Sequence, residues 1–235
     1  MKKIMFNDRY GLTQAVLEGR KTMTRRVIPD IWIDFPRSGR QKAVIAGLDS
    51  QVLMMDLSHV LGENCLYSAD RKYQPKYYKG DEVAVAQTYK DSGWNPDVLQ
   101  ETFVRKPTVF PDLDPIETHL GWVDLPFKYH KGWTNKMFVL ADLMPHRIRI
   151  TDIKVERLQD ISEDDCMKEG IYKRAALHSL HVNGYAYTFD NWSDRGIAMG
   201  SDTAKGAFAS LIDRISGKGT WERNPWVYAY EFVLL

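Results

Sequence analysis

Between Gly19 and Arg26 the chain reads Gly-Arg-Lys-Thr-Met-Thr-Arg-Arg, so four cations and two hydroxyls share eight residues. Lys21 and Thr24 are residue types from which an activated nucleophile can be made. A threonine hydroxyl is a weak nucleophile until a base removes its proton. Lysine serves as that base only when its pKa falls toward neutrality, and the neighbouring Arg20, Arg25 and Arg26 disfavour its ammonium form. A carboxylate is then needed to orient the lysine or to move protons. The acidic segment running from Glu163, Asp164 and Asp165 to Glu169 offers one. Arg20, Thr22, Arg25 and Arg26 are the matching candidates for binding an oxyanion or a phosphate. Regular strand geometry would turn Lys21 and Thr24 to opposite faces. They converge only if residue 21 lies in the turn before the strand. The same run also fits a solvated basic strand edge, where lysine and arginine discourage edge pairing.

The 235 residues carry a formal net charge of +1. That balance argues against a protein that coats nucleic acid by charge alone, and it leaves room for a local basic patch. No apolar run approaches the length of a membrane span and no leader pattern is evident, so a cytoplasmic protein without a membrane partner is expected. Cys65 and Cys166 lie far apart without CxxC spacing, which points to a reducing setting with neither disulfide nor metal site. The six histidines are scattered; His178 and His181 are three apart but have no Cys/His partner motif nearby. No GxGxxG or GxxxxGK[ST] motif is present, so neither a Rossmann nor a P-loop nucleotide site is expected.

The elements that must position these residues follow from periodicity. Leu12, Ala15 and Val16 form one apolar stripe, which predicts a helix over 8–18 with Asn7 or Asp8 at its start and Gly19 at its end. Strands are predicted at 21–28, 82–87, 136–141, 147–156 and 226–233. The alternation within 147–156 slips at Thr151-Asp152, which predicts a bulge. Ser162 opens a helix over 162–169 as a capping box with Asp165. A second helix over 204–215 presents Phe208, Leu211, Ile212 and Ile215 on one face. Segments 29–79, 90–135 and 172–203 show no sustained period and read as insertions. Trp94, Trp122, Trp133, Trp192 and Trp221 lie in or beside irregular segments. There they can either stack on a nucleobase or close small cores under loops. Trp226 is expected in the core. The whole predicts an α+β fold: a small mixed barrel, open or closed, with helices at its mouth, in one domain spanning 1–235.

The order of these pieces resembles the ASCH-domain family of the PUA-like superfamily of β-barrels. The likeness rests on Leu17–Arg26, on Gly80-Asp81-Glu82-Val83, on Arg147–Leu158 leading into Ile161–Gly170, and on Trp226–Phe232. Small bacterial members that hydrolyse N4-acetylcytidine carry a similar Gly-Arg-Lys-Thr-aliphatic-Thr stretch. The resemblance implies catalytic roles for Lys21, Thr24 and, on the helix after the central strands, Glu169. It covers about a third of the chain, and longer proteins of this shape resemble phage and prophage ASCH proteins.

The expected function is thus recognition of a modified pyrimidine nucleoside or RNA, by an amidohydrolase of N4-acylcytidine type that needs no metal or other cofactor. The alternatives are a non-catalytic RNA-binding module, or a phage protein that acts on a host factor through a protein-binding surface built by the insertions.

Overall fold

A computed structural model describes residues 1–36, 39–61, 65–99, 130–175, 185–189 and 200–235. Its strands are β1 (Lys2–Ile4), β2 (Met23–Val27), β3 (Trp32–Phe35), β4 (Gly39–Lys42), β5 (Val44–Asp49), β6 (Val52–Asp56), β7 (Leu66–Ser68), β8 (Glu82–Val85), β9 (Arg147–Arg157), β10 (Tyr172–Ala175), β11 (Tyr185–Thr188) and β12 (Trp226–Leu234). Helices α1 (Leu12–Leu17), α2 (Glu163–Lys168) and α3 (Ala204–Ser216) bear on the site. The fold is α+β, and among the described residues no sheet closes into a barrel.

The described chain divides into two compact units: Met1–Phe6 with Val83–Arg147, and Asn7–Glu82 with Ile148–Leu235. In the first, β1 runs parallel to β8, with Lys3 opposite Ala84. Ala84, Ala86, Tyr89, Leu99, Val139 and Met144 are buried there, and Trp94 and Trp133 pack against them. The Trp94 indole donates to the Leu143 carbonyl at 2.7 Å. Both tryptophans therefore close a small core. The strand expected over 136–141 is absent: Lys136–Phe138 and Ala141–Leu143 are 3-10 turns. The Asn135 side chain accepts from the Met137 amide at 3.0 Å. The Lys3 ammonium takes the carbonyls of Met137 and Val139, each at 2.7 Å, so no strand neighbour is needed to satisfy them.

The second unit holds the candidate residues. β12 pairs antiparallel with both β9 and β2. The expected bulge is present, since Glu231 faces Asp152 while Phe232 faces Ile150, leaving Thr151 as the extra residue. The segment 29–79 is built of short strands rather than irregular chain: β3 pairs with β4, and β5, β6 and β7 form a meander. The segment after residue 172 contributes the two-stranded ribbon β10–β11. The remainder of the three expected insertions, with Trp122, Trp192, His178 and His181, falls outside the described residues.

Gly11, at φ 64°, divides the helix expected over 8–18 into a 3-10 turn, Asp8–Tyr10, and α1. Gly19 ends that region at φ 72°, a backbone conformation that glycine adopts without steric cost. In α3, Ala204, Ala207, Phe208, Leu211 and Ile212 are buried, whereas Ile215, expected on the same face, is 36% exposed. Trp226 is half-buried rather than core, and the Arg157 guanidinium lies 4.5 Å from its ring centroid. Phe208 is 1% exposed and meets Trp221 edge-on. Phe208→Ala should lower unfolding stability by about 3–5 kcal/mol. Urea denaturation checks this as a reduced midpoint at an unchanged slope.

Candidate functional site

Lys21 precedes β2, as convergence with its neighbours requires, and its side chain is 2% exposed. The Lys21 amide donates to the Ala15 carbonyl, which ties the turn to the end of α1. Its ammonium donates to the Met23 carbonyl at 2.8 Å, to the Glu169 carbonyl at 2.7 Å and to Glu169 Oε2 at 2.6 Å. Glu169 follows the last residue of α2 and is 4% exposed. The next residue, Gly170, has φ 99°, and the space where a Cβ would stand lies 3.6 Å from the Lys21 side chain. Glycine therefore lets the chain turn over the lysine. Of the four acidic candidates near α2, Glu169 is the one that pairs with Lys21 among the described residues.

The other acids serve elsewhere. Ser162 caps α2 by accepting from the Asp165 amide at 3.0 Å. The Asp165 carboxylate does not reach back as a capping box would; it accepts from Arg25 at 3.0 Å and from Lys154 at 3.1 Å. Glu163 accepts from the amides of Ala204 and Lys205 at the start of α3. Asp164 is exposed.

Arg25 departs most from the sequence expectation. Its side chain is 0% exposed. Nε and Nη2 donate to Glu156 Oε1 at 2.9 and 2.6 Å, Nη2 also to Asp165, and Nη1 to Glu169 Oε1 at 3.2 Å. The guanidinium carbon lies 6.0 Å from the Phe208 ring centroid. Arg25 is thus a buried cation held by three carboxylates, not a side chain bordering a cleft. Arg20 is also engaged: it pairs with Glu18 at 2.6 Å and lies over Tyr172. Arg26 is exposed and Thr22 half-buried.

Thr24 occupies the other side of β2. Strand alternation places Met23 and Arg25 on one face and Thr24 and Arg26 on the opposite one. Thr24 stands opposite Tyr230, and Arg26 opposite Tyr228. Thr24 is 5% exposed, and its hydroxyl makes no hydrogen bond within the described structure. No completely buried side-chain oxygen or nitrogen lacks a partner among the described residues, so the Thr24 hydroxyl keeps some solvent access. The structure therefore joins Lys21 to Glu169, sets Thr24 beside them along the chain without a hydrogen bond to Lys21, and removes Arg25 from ligand reach.

Burial pushes the Lys21 pKa down; Arg26 and Arg25 add to the fall, against the opposing attraction of Glu169. The sequence assigned this role to neighbouring arginines, whereas desolvation is the larger cause. Burial also opposes the charge on Arg25, but its carboxylate partners outweigh this and raise its pKa. Burial raises Asp165, and Lys154 and Arg25 more than reverse it. The Cys166 thiol is pushed up to about 12 by burial, so it is no nucleophile at neutral pH. Among the described residues no cluster of His, Cys, Asp and Glu has the arrangement of a metal site.

Glu156 and Lys154 belong to this network and were not singled out in the sequence. They occupy alternate positions of β9, where polar residues ordinarily face water. Only the packing of α2 residues against β2 marks them as anchors. Comparison with protein-family models, with curated proteins and with solved structures finds no match to this chain.

Two consequences can be measured. Arg25→Met leaves three carboxylates facing one another and should lower unfolding stability by about 3–5 kcal/mol. Arg25→Lys should recover little of it, because an ammonium cannot span the same fork; chemical denaturation decides. The second concerns pH. A depressed Lys21 pKa means that the unfolded chain binds more protons than the folded one between the folded value and the ordinary 10.5. The Lys21 contribution to stability therefore rises with pH across that interval. The gap in urea midpoint between the wild type and Lys21→Met should move in the wild type's favour as pH climbs toward 10.5. A gap that stays constant would refute the depressed value.

Proposed function

We propose that the chain is an ASCH-type protein of PUA-like ancestry that hydrolyses the amide of an N4-acylated cytidine. The observation that carries this reading is the buried Lys21–Glu169 pair, 2.6 Å apart, three residues along the chain from a threonine whose hydroxyl makes no hydrogen bond among the described residues. A lysine held in a dry site with a lowered pKa is suited to act as a base. A hydroxyl without a competing acceptor is free to lose its proton to one.

In the proposed reaction Thr24 Oγ attacks the acyl carbonyl carbon while Lys21 accepts the hydroxyl proton. The amide C–N bond breaks, and Glu169 assists delivery of a proton to the departing amine, leaving cytidine and an acyl-threonine ester. Water then cleaves the ester, releasing the carboxylic acid and restoring Thr24. Lys21 and Thr24 share no hydrogen bond in the free chain, and such contacts commonly tighten only with substrate bound. The exposed Arg26, on the Thr24 face of β2, is the candidate cation for the oxyanion or a phosphate.

A non-catalytic RNA-binding module is the competing reading. It depends on the basic run acting as a phosphate surface, and the burial of Arg25 and the pairing of Arg20 with Glu18 leave less of that run for the purpose. Among the described residues no helix is long and apolar enough to cross a membrane.

Incubation with N4-acetylcytidine, followed by chromatography, should show cytidine accumulating. Thr24→Ala should lose about 10³-fold or more of kcat, and Thr24→Ser should retain part of it because the nucleophilic oxygen remains. Lys21→Arg should be nearly as damaging as Lys21→Ala, since a guanidinium is no base at neutral pH. Undiminished turnover in Thr24→Ala ends the nucleophile assignment. No turnover on any N4-acylated cytidine ends the hydrolase reading.

A further inference from the structure

The Glu169 carboxylate is shared between two cations. Oε2 accepts from Lys21 at 2.6 Å, and Oε1 accepts from Arg25 at 3.2 Å. Arg25 cannot drift, because the opposite edge of its guanidinium is fixed to Glu156 at 2.9 and 2.6 Å and to Asp165 at 3.0 Å. These anchors come from different elements, Glu156 from β9 and Asp165 from α2. Lys154 bridges the two anchors, 3.1 Å from each. The planar fork of arginine is the side chain that can meet three carboxylates in fixed directions at once.

We propose that Arg25 is a positioning residue, clamped by Glu156 and Asp165, that holds Glu169 in the orientation in which its second oxygen meets Lys21. The role rests on the hydrolase reading for its purpose, not for its geometry. Arg25 touches no substrate in this scheme; it acts through Glu169. By taking one oxygen it fixes the carboxylate's rotation. By neutralising part of the carboxylate charge it limits how strongly Glu169 holds a proton on Lys21. The charged groups acting on this cluster include, among the described residues, Arg25 and Arg26 from β2, Lys154 and Glu156 from β9, and Asp165 and Lys168 from α2; Glu163 of α2 and Lys205 of α3 act on the neighbouring Cys166 thiol. Lys168 is itself paired with Glu231 at 2.8 Å.

Removing charges of opposite sign moves Lys21 in opposite directions whether or not Arg25 orients Glu169. Orientation is therefore read from Arg25→Lys, which keeps the charge and loses the fork. In Arg25→Gln the full Glu169 charge falls on Lys21, so the lysine should hold its proton to higher pH. In Glu156→Gln the Arg25 charge is less neutralised, so the lysine should release its proton at lower pH. The glutamine retains an acceptor for Arg25, which makes this the milder change to the fold.

The test is a titration of full-length protein carrying ¹³C-labelled lysine, followed by NMR, with the Lys21 signal assigned by its loss in Lys21→Met. Trimethylamine oxide can keep the variants folded, as checked by circular dichroism. The Lys21 midpoint should rise by about one pH unit or more in Arg25→Gln and fall in Glu156→Gln. The acidic limb of the kcat/KM profile on N4-acetylcytidine should move with it. In Arg25→Lys the Lys21 midpoint should fall below the wild type's, because Glu169 no longer holds its orientation. An Arg25→Lys midpoint equal to the wild type's, or no shift in Arg25→Gln, overturns the positioning role. The expected shifts with no turnover by the wild type uphold the clamp and refute the hydrolase reading instead.

Discussion

One guanidinium sets the constraint on which this site depends. Arg25 is wholly removed from solvent and has Glu156, Asp165 and Glu169 around it. A charge in that position is tolerable only with its partners in place, because desolvation costs several kcal/mol per ion and is recovered through good geometry alone. Each partner therefore has to be delivered correctly: Glu156 by the register of β9 on β12, and Asp165 and Glu169 by the docking of α2. The arginine thereby couples sheet register to helix position. A slip of one residue in β9 would turn Glu156 to the other face and leave the cation without its closest partner.

The same constraint explains the division of labour across β2. The Arg25 face is dry, ionic and covered by helix residues such as Phe208. The Thr24 face is lined by tyrosines: Tyr228 donates its hydroxyl to the Tyr73 carbonyl at 2.6 Å, and Tyr230 stacks edge-on with Tyr77 at 5.5 Å between centroids. Lys21 lies before the strand begins, so it is not bound by the strand's alternation. It reaches Glu169 by lying under Gly170. The candidate base is consequently held by the ionic face, while the candidate nucleophile belongs to the other.

Elements beyond the site follow simpler physics. The segment 29–79 folds as one strand pair and a meander because its short apolar runs, such as 52–55, find neighbours close in sequence. Pairing of that kind closes small loops and orders few residues for each hydrogen bond gained. Lys3 replaces a strand neighbour for residues 136–139 by lending one ammonium to several carbonyls. Buried backbone acceptors must be met by some donor, and here a side chain meets them.

The sequence alone determined the elements whose signals are local. Alternation located β9 and its bulge at Thr151, the apolar stripe located α3, and Ser162 marked the start of α2, since period and capping are properties of neighbouring residues. It also brought Lys21, Thr24 and Glu169 forward as a group, through residue chemistry and a family resemblance. It could not show that Arg25 is buried, because a cation in an exposed run and a cation in a core are spelled alike. Nor could it show that Asp165 would leave its helix cap for Arg25 and Lys154, or that Glu156 would join them. Those outcomes depend on which face of β9 meets which end of α2, and so on contacts between residues 131 and 144 positions apart in sequence. Tertiary structure decided them because the energy of a buried charge is set by the neighbours folding brings to it, and the chain order does not list them.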